Sequence, residues 1–464
     1  MASRSWIICT FSILLSYFAS AQDQTVMRIE DEKARVRQIF DEALVNGQCY
    51  DYLRVLTKEI GGRLTASPQC YQAENFVYSL LDSLGFDTVF KQPFLATHWE
   101  RGDTESATLI VDGTESSMSM TTLGGSIGTS AEGVKGEVIE LLGLEELETF
   151  GREKLEGKVV FFNRPMDPRH VNTFKAYGGC VDQRWGGAME AAKFGAVGVV
   201  VRSMSHAQDD HPHTGSMGYA DEVQKIPSVA ISTNSANQLN EALLAGKKPE
   251  IRIITSAKTF PDTIVNNVIG EIRGTEFPEE IILVGGHLDS WDNGEGAHDD
   301  GAGCVHAIEA LRILKSIGYK PKRTLRVVLF MNEENGLRGG RKYGEEATKY
   351  NWNHIVAIES DRGGFSPRGF HMEAEEEQIA KVQSWRKVLE PYGLYDFQAG
   401  GSGADIKPLQ GENTVLVGFV PDSQRYFDFH HAPSDVLENV NKRELEMGAA
   451  SMAALVYFFD QYGN

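Results

Sequence analysis

The residue types able to do chemistry fall in short polar clusters, each following an apolar run. Gly285-Gly286-His287-Leu288-Asp289 comes directly after Ile281-Ile282-Leu283-Val284, and twelve residues past His287 stands Asp299, inside His298-Asp299-Asp300-Gly301-Ala302-Gly303. Asn332-Glu333-Glu334-Asn335-Gly336 follows the run 325–331, and Glu359-Ser360-Asp361 follows 354–358. The last cluster, Phe429-His430-His431-Ala432-Pro433-Ser434-Asp435, comes after 414–420 and a loop. Imidazole and carboxylate donors without a thiolate suit zinc at an open, catalytic position. His287, Asp299, Glu334, Asp361 and His431 are too many for one four-coordinate zinc but suit two metals sharing a carboxylate. On extended chain, side chains two apart share a side, so Asp289 can hold the second ring nitrogen of His287, as a ligating histidine needs. Taken singly, each cluster is ordinary: His-x-Asp is usually a surface pair, Glu-Glu a solvated loop and Asp-Asp-Gly a turn. Their joint placement after successive buried strands is what points to one site.

The elements that must position these residues can be read from periodicity. The run 281–284 is continuous and apolar, as a strand buried on both faces requires. A helix with Val305, Ile308, Leu311 and Leu314 on one side follows it. Strands at 325–331, 354–358 and 414–420 alternate with helix patterns, and the last helix opens on Asn441-x-x-Glu444, a capping-box spacing. Alternation of this kind predicts an α/β fold with a mostly parallel central sheet flanked by helices, with ligands bound beyond the carboxyl ends of the strands. Upstream, helices are expected over 28–47 and 71–84, the latter stopping at Gly85, and an extended stretch over 95–133. From 134 the texture becomes a compact β-rich module, with strands near 138–142, 158–163, 197–201 and 226–231 and helices near 185–194 and 234–244.

Composition bounds the partners. The 464 residues carry 45 basic and 65 acidic side chains, a net charge of −20. That balance argues against nucleic acid and anionic membrane surfaces as partners, which need clustered Lys and Arg. Arg4, an apolar stretch over 6–18 and Ala19-Ser20-Ala21 together read as a signal peptide over 1–21, too short for a comfortable membrane span. The mature chain is expected to be secreted, to an extracellular, lysosomal or, in a bacterium, periplasmic place, without stable membrane insertion. Cys49, Cys70, Cys180 and Cys304 remain after that cut and allow three pairings; Cys49 with Cys70 is a conceivable bridge, and Cys304, inside a helix pattern, reads as a buried thiol. No N-x-S/T sequence occurs.

With these residues assembled, the chain resembles the di-zinc aminopeptidase and glutamate carboxypeptidase family. The resemblance covers nearly the whole mature chain. It rests on Ile60-Gly61-Gly62-Arg63-Leu64 with Ser67-Pro68, Gly286-His287-Leu288-Asp289-Ser290-Trp291-Asp292, Asp299-Asp300-Gly301-Ala302-Gly303, Glu333-Glu334, Glu359-Ser360-Asp361 and His431-Ala432-Pro433-Ser434-Asp435. It implies an exopeptidase acting on dipeptides or short peptides, with two zinc ions per chain and a zinc-bound hydroxide as nucleophile. His287 and Asp361 would hold one ion, Glu334 and His431 the other, and Asp299 would bridge them ahead of a cis peptide to Asp300. Glu333 would be the general base and Asp289 the partner of His287. The resemblance also implies a protease-associated domain over 126–259, inserted into a catalytic domain of 22–125 and 260–464, and a homodimer. Many relatives carry Tyr where this chain has His430, which makes His430 a candidate oxyanion donor. The loop Gly400-Gly401-Ser402-Gly403-Ala404-Asp405 is expected to line the substrate pocket. Two other readings stay open: an aminopeptidase on longer peptides, and a non-catalytic receptor or scaffold, which would lack ligands or the base that are all present here.

Overall fold

The computed structural model describes residues 29–411 and 414–463; the signal peptide expected at 1–21 lies outside them. Two eight-stranded sheets organise these residues. The first runs Thr88–Glu100, Lys258–Ile272, Arg323–Phe330, Phe277–His287, Asn353–Glu359, Val415–Pro421, Pro367–Glu373 and Asp396–Ala399. Its centre, from Arg323–Phe330 across to Val415–Pro421, is parallel at each pairing. Antiparallel pairings attach Lys258–Ile272 on one side of that centre and Pro367–Glu373 on the other. This is the mostly parallel α/β sheet that the strand–helix alternation predicts.

The continuous apolar runs have the cause expected of them. Ile282 and Val284 pack with Val305 and Ile308 of the helix Ala302–Ser316 and with Leu455 of the helix Lys442–Tyr462. Ile281 and Leu283 face the opposite way, toward Tyr343 and Ala347 of the helix Arg338–Tyr350. Helices on both faces leave no side of the central strands for water. The terminal helix is capped by the Asn441 side chain, which accepts from the N–H groups of Arg443 and Glu444. Glu444 does not complete a reciprocal box; its carboxylate accepts from the Ser366 hydroxyl. Cys49, Cys70, Cys180 and Cys304 are all buried and unbridged. Cys49 and Cys70 project from helices into the apolar core, where Cys70 Sγ lies 3.5 Å from Met331 Sδ.

The second sheet runs Thr114–Met118, Glu105–Val111, Glu250–Thr255, Val134–Leu141, Val159–Phe162, Gly198–Arg202, Ser228–Ile231 and Met120–Thr122. The four strands from Val134–Leu141 to Ser228–Ile231 are parallel and carry the helices Asp182–Lys193 and Thr233–Leu244. Three of its strands precede the boundary expected at 126. Glu105–Val111 pairs with Glu250–Thr255, so this sheet gathers chain from both sides of the β-rich stretch.

Candidate metal centre

The register of the first sheet brings the polar clusters to one edge. His287 stands level with Phe330, just before the Asn332-Glu333-Glu334 loop, and Gly285 stands level with Glu359. Parallel pairing therefore carries His287 and Asp361, each two residues further on, to the same height. Asp299 comes in from the turn ahead of the helix Ala302–Ser316, with a cis peptide to Asp300 as expected. His430 and His431 follow the short helix Tyr426–Phe429, and His431 has a φ of 61°, a left-handed conformation that costs a non-glycine residue about 1–2 kcal/mol.

The five expected ligands meet. His287 Nε2 lies 3.2 Å from Asp299 Oδ1 and 3.5 Å from Asp361 Oδ1. His431 Nε2 lies 3.2 Å from Asp299 Oδ2 and 3.0 Å from Glu334 Oε2. Each histidine keeps its other nitrogen occupied. His287 Nδ1 is 2.9 Å from the Asp289 carbonyl, and His431 Nδ1 is 3.2 Å from the Thr214 carbonyl. Both Nε2 atoms are thereby turned toward the carboxylates. The side chain of Asp289 is not the group nearest His287: its Oδ1 is 3.9 Å from Nδ1. The strand ends at His287, the chain turns, and the carboxylate swings instead to the N–H groups of Glu333 (3.1 Å) and Glu334 (3.3 Å) and to the Thr65 hydroxyl (3.0 Å).

Several positioning residues went unassigned in the sequence. Asp300 accepts from the N–H of His287, and Asp435 accepts from the N–H groups of both His298 and Asp299. Arg63, wholly buried, donates to the carbonyls of Leu288, Glu295 and Gly296, stapling together the loops that carry His287 and Asp299. Arg63, Asp300 and Asp435 fall inside the motifs that carry the family resemblance, whereas Thr214 falls in none of them.

The electrostatics of the cluster favour a bound cation. Burial pushes the Glu334 carboxyl up to about 7 and Glu333 well above the usual range, where nearby Asp361 and Glu334 add to the effect against the pull of His287. Burial also opposes charge on the histidines, yet contacts with Asp299 and Asp361 hold His287 well above its ordinary value, and Glu334 and Asp299 hold His431 at about 9. Asp299 Oδ2, Glu334 Oε1 and Asp361 Oδ1 are buried without a hydrogen bond. Buried carboxylates converging on orphaned oxygens are costly unless a cation joins them. Zinc, which takes oxygen and imidazole donors, fits that demand.

Residues 267–456 match the profile of Peptidase family M28. Carboxypeptidase Q of Homo sapiens is 34% identical over 408 residues, covering 88% of this chain and 84% of that protein. The chain belongs to peptidase family M28. Among solved structures, a Peptidase M28 precursor from Shewanella amazonensis superposes with a TM-score of 0.88 at 33% identity, covering 93% of this chain and 97% of that one. A zinc aminopeptidase from Bacillus subtilis shares the fold at a TM-score of 0.63 and 20% identity, covering 88% and 94%. Membership makes this chain a zinc metallopeptidase.

The remaining expected residues of this M28 peptidase fall around a cavity of about 450 Å³ lined by Glu333, Glu334, Asp361, His430 and His431. Tyr177, Arg184 and Ser216 belong to the stretch of chain that builds the second sheet, called the second unit below, and line the same cavity, so the site lies between the two sheets. His430 stacks on His431 with ring centroids 3.5 Å apart and places Nε2 3.7 Å from Asp299 Oδ2. Burial and the neighbouring His431 hold its imidazole well below the ordinary value, hence uncharged. The 400–405 loop is anchored rather than free: Ala404 N–H donates to the Glu359 carboxylate, and the Ser402 hydroxyl to Glu373. Its Gly400 and Gly401 border a separate cavity of about 610 Å³ with Arg362 and Phe174.

Proposed function

We propose that this protein is a two-zinc exopeptidase that hydrolyses dipeptides and other short peptides. The observation that carries the reading is the position of Asp299, whose two oxygens face different histidines at 3.2 Å each. With Asp361 beside the first histidine and Glu334 beside the second, the donors divide into two sets that share one carboxylate. His287 and Asp361 would hold one ion, and Glu334 and His431 the other. Bound zinc supplies Lewis acidity, which acidifies water and polarises a carbonyl.

The chain's own residues supply proton handling and orientation. Glu333 borders the cavity with its backbone N–H held by Asp289, so its carboxylate can take a proton from attacking water and return it to the leaving nitrogen. His430, uncharged and facing the same space, can donate an N–H to the carbonyl oxygen as that oxygen gains charge. Arg184 is 8% exposed, its Nε has no hydrogen-bond partner, and it lines the cavity. A buried cation there suits the free carboxylate of a short peptide. This favours a carboxypeptidase or dipeptidase over an aminopeptidase on longer chains, as does the name of the human relative.

The same resemblance reads the second unit as a protease-associated domain and the protein as an exported homodimer. Among the described residues no helix is long and apolar enough to cross a membrane. Sedimentation of the purified protein checks the pairing. The central test is Glu333→Gln: zinc content should stay at the wild-type level while kcat on a dipeptide falls by about 10²–10⁴. Substantial turnover in that variant would remove Glu333 from the role of base. Mass-spectrometric profiling on peptides with free and blocked ends then separates carboxypeptidase from aminopeptidase action.

A further inference from the structure

The contacts that hold the metal-facing residues divide unequally between the two parts of the fold. His287 and Asp361 stand at the ends of neighbouring strands of the first sheet. His287 is fixed by that same part of the molecule, through Asp300 on its N–H and the Asp289 carbonyl at Nδ1. Glu334 and His431 stand on loops, and a short segment of the second unit, His213-Thr214-Gly215-Ser216, grips both. Thr214 N–H donates to the His431 carbonyl at 2.9 Å, and the Thr214 carbonyl accepts from His431 Nδ1 at 3.2 Å. His213 Nδ1 donates to the His430 carbonyl at 2.6 Å, and the Ser216 hydroxyl donates to the Glu334 carbonyl at 2.5 Å.

The segment is itself pinned to its own unit. The Thr214 hydroxyl donates to the Thr122 carbonyl at 2.9 Å, Gly124 N–H donates to the Gly215 carbonyl at 3.0 Å, and Met217 N–H donates to the Gly124 carbonyl at 3.0 Å. An imidazole that ligates through Nε2 carries its proton on Nδ1, and that proton needs a fixed acceptor. The Thr214 carbonyl is that acceptor. Arg184 Nη1 donates to the same carbonyl at 3.3 Å and lies 3.4 Å from His431 Nδ1, so guanidinium and imidazole share that one acceptor. The first part of the fold also reaches His431, since Asn293 Nδ2 donates to its carbonyl at 2.9 Å, but that contact leaves the ring free to turn. Gly215, at a φ of 133°, leaves no room for more: a Cβ there would stand 2.4 Å from Arg184 Nη1 and 2.7 Å from His431 Nδ1.

We propose that His213-Thr214-Gly215-Ser216 is a positioning element by which the second unit sets the affinity for one ion of the pair, the one at Glu334 and His431. The ion at His287 and Asp361 is left to the first sheet. This rests on the two-ion reading above. The test compares full-length wild type, Ser216→Ala and Gly215→Ala, with zinc counted by mass spectrometry after dialysis against graded free-zinc buffers and the fold checked by circular dichroism. Ser216→Ala only deletes a hydroxyl, so it keeps the test open where Gly215→Ala fails to fold. The expected result is one ion bound as in wild type and the other bound at least about 10-fold more weakly. Variants that hold both ions at wild-type affinity, or lose both equally, overturn the proposal. A wild type that holds a single ion overturns the two-ion reading instead; the positioning role then stands only where the variants weaken that ion, and falls where they do not.

Discussion

Asp289 has no solvent exposure, and its carboxylate gathers three donors: the N–H groups of Glu333 and Glu334 and the Thr65 hydroxyl. Its carbonyl meanwhile faces His287 Nδ1. One residue thus fixes the His287 imidazole through its backbone and the Glu333-Glu334 loop through its side chain. Removing the carboxylate in Asp289→Ala leaves backbone donors unsatisfied in a buried place, at about 1–3 kcal/mol each. We expect the variant to lose about 10–100-fold in kcat and in zinc affinity together, read by steady-state kinetics and by competition with a chelator. Wild-type zinc affinity with unchanged kcat would show that the loop holds without it. At this scale, the sequence disclosed residues that follow buried strands, because an apolar run ending in a polar cluster marks a strand end. Arg63, Asp435 and Thr214 act through contacts with segments far away in the chain, and no local spacing records such a contact.

The helix Ala302–Ser316 brings Asp299 to the sheet edge, and its start is set by a close approach. A Cβ on Gly303 would lie 1.8 Å from the Ser360 carbonyl and 2.5 Å from the Asp300 carboxylate. Only glycine lets the helix begin that near to the end of Asn353–Glu359. Gly303→Ala should push the helix start outward, separating Asp299 from Asp361, with an overpacking cost of about 1–3 kcal/mol. The expected outcome is a lowered thermal midpoint together with reduced zinc content; a variant with wild-type values of both would show that the helix has room to shift. The central strands were legible as elements because burial on both faces writes an unbroken apolar run. Pro367–Glu373 was not, nor was Asp396–Ala399, two of whose four residues are exposed. Thr88–Glu100 alternates exposed, half-buried and buried positions and contains Pro93, so it too carries a weak pattern. The start of the second sheet at Glu105, ahead of the expected 126, has the same origin: a partly exposed strand is defined by its partner Glu250–Thr255, not by its own residues.

Over the whole molecule, folding buries histidines that the metal does not need, and these couple stability to pH. His354 lies in the strand Asn353–Glu359, and its Nε2 is 2.9 Å from the Tyr343 hydroxyl. That hydroxyl already accepts from Arg326 Nη1, so its own proton points to His354, which acts as the acceptor. Burial, and then the charge of Arg326, lower the imidazole to about 3. His306, in the helix Ala302–Ser316, is lowered to about 3 by burial as well. The unfolded chain takes up a proton on each near pH 6.5 that the folded chain refuses until about pH 3, so stability falls as pH drops through that window. Glutamine at 354 can still accept from Tyr343 but does not titrate. Compared by urea unfolding at pH 7 and pH 4.5, His354→Gln should therefore be less stable than wild type at neutral pH and recover on the order of 2 kcal/mol relative to it in acid. A stability gap between the two proteins that stays constant across that range would mean that the folded state takes up the proton as readily as the unfolded one. His354 would then sit in contact with water, and the second face of the sheet would not be sealed by the helix Arg338–Tyr350.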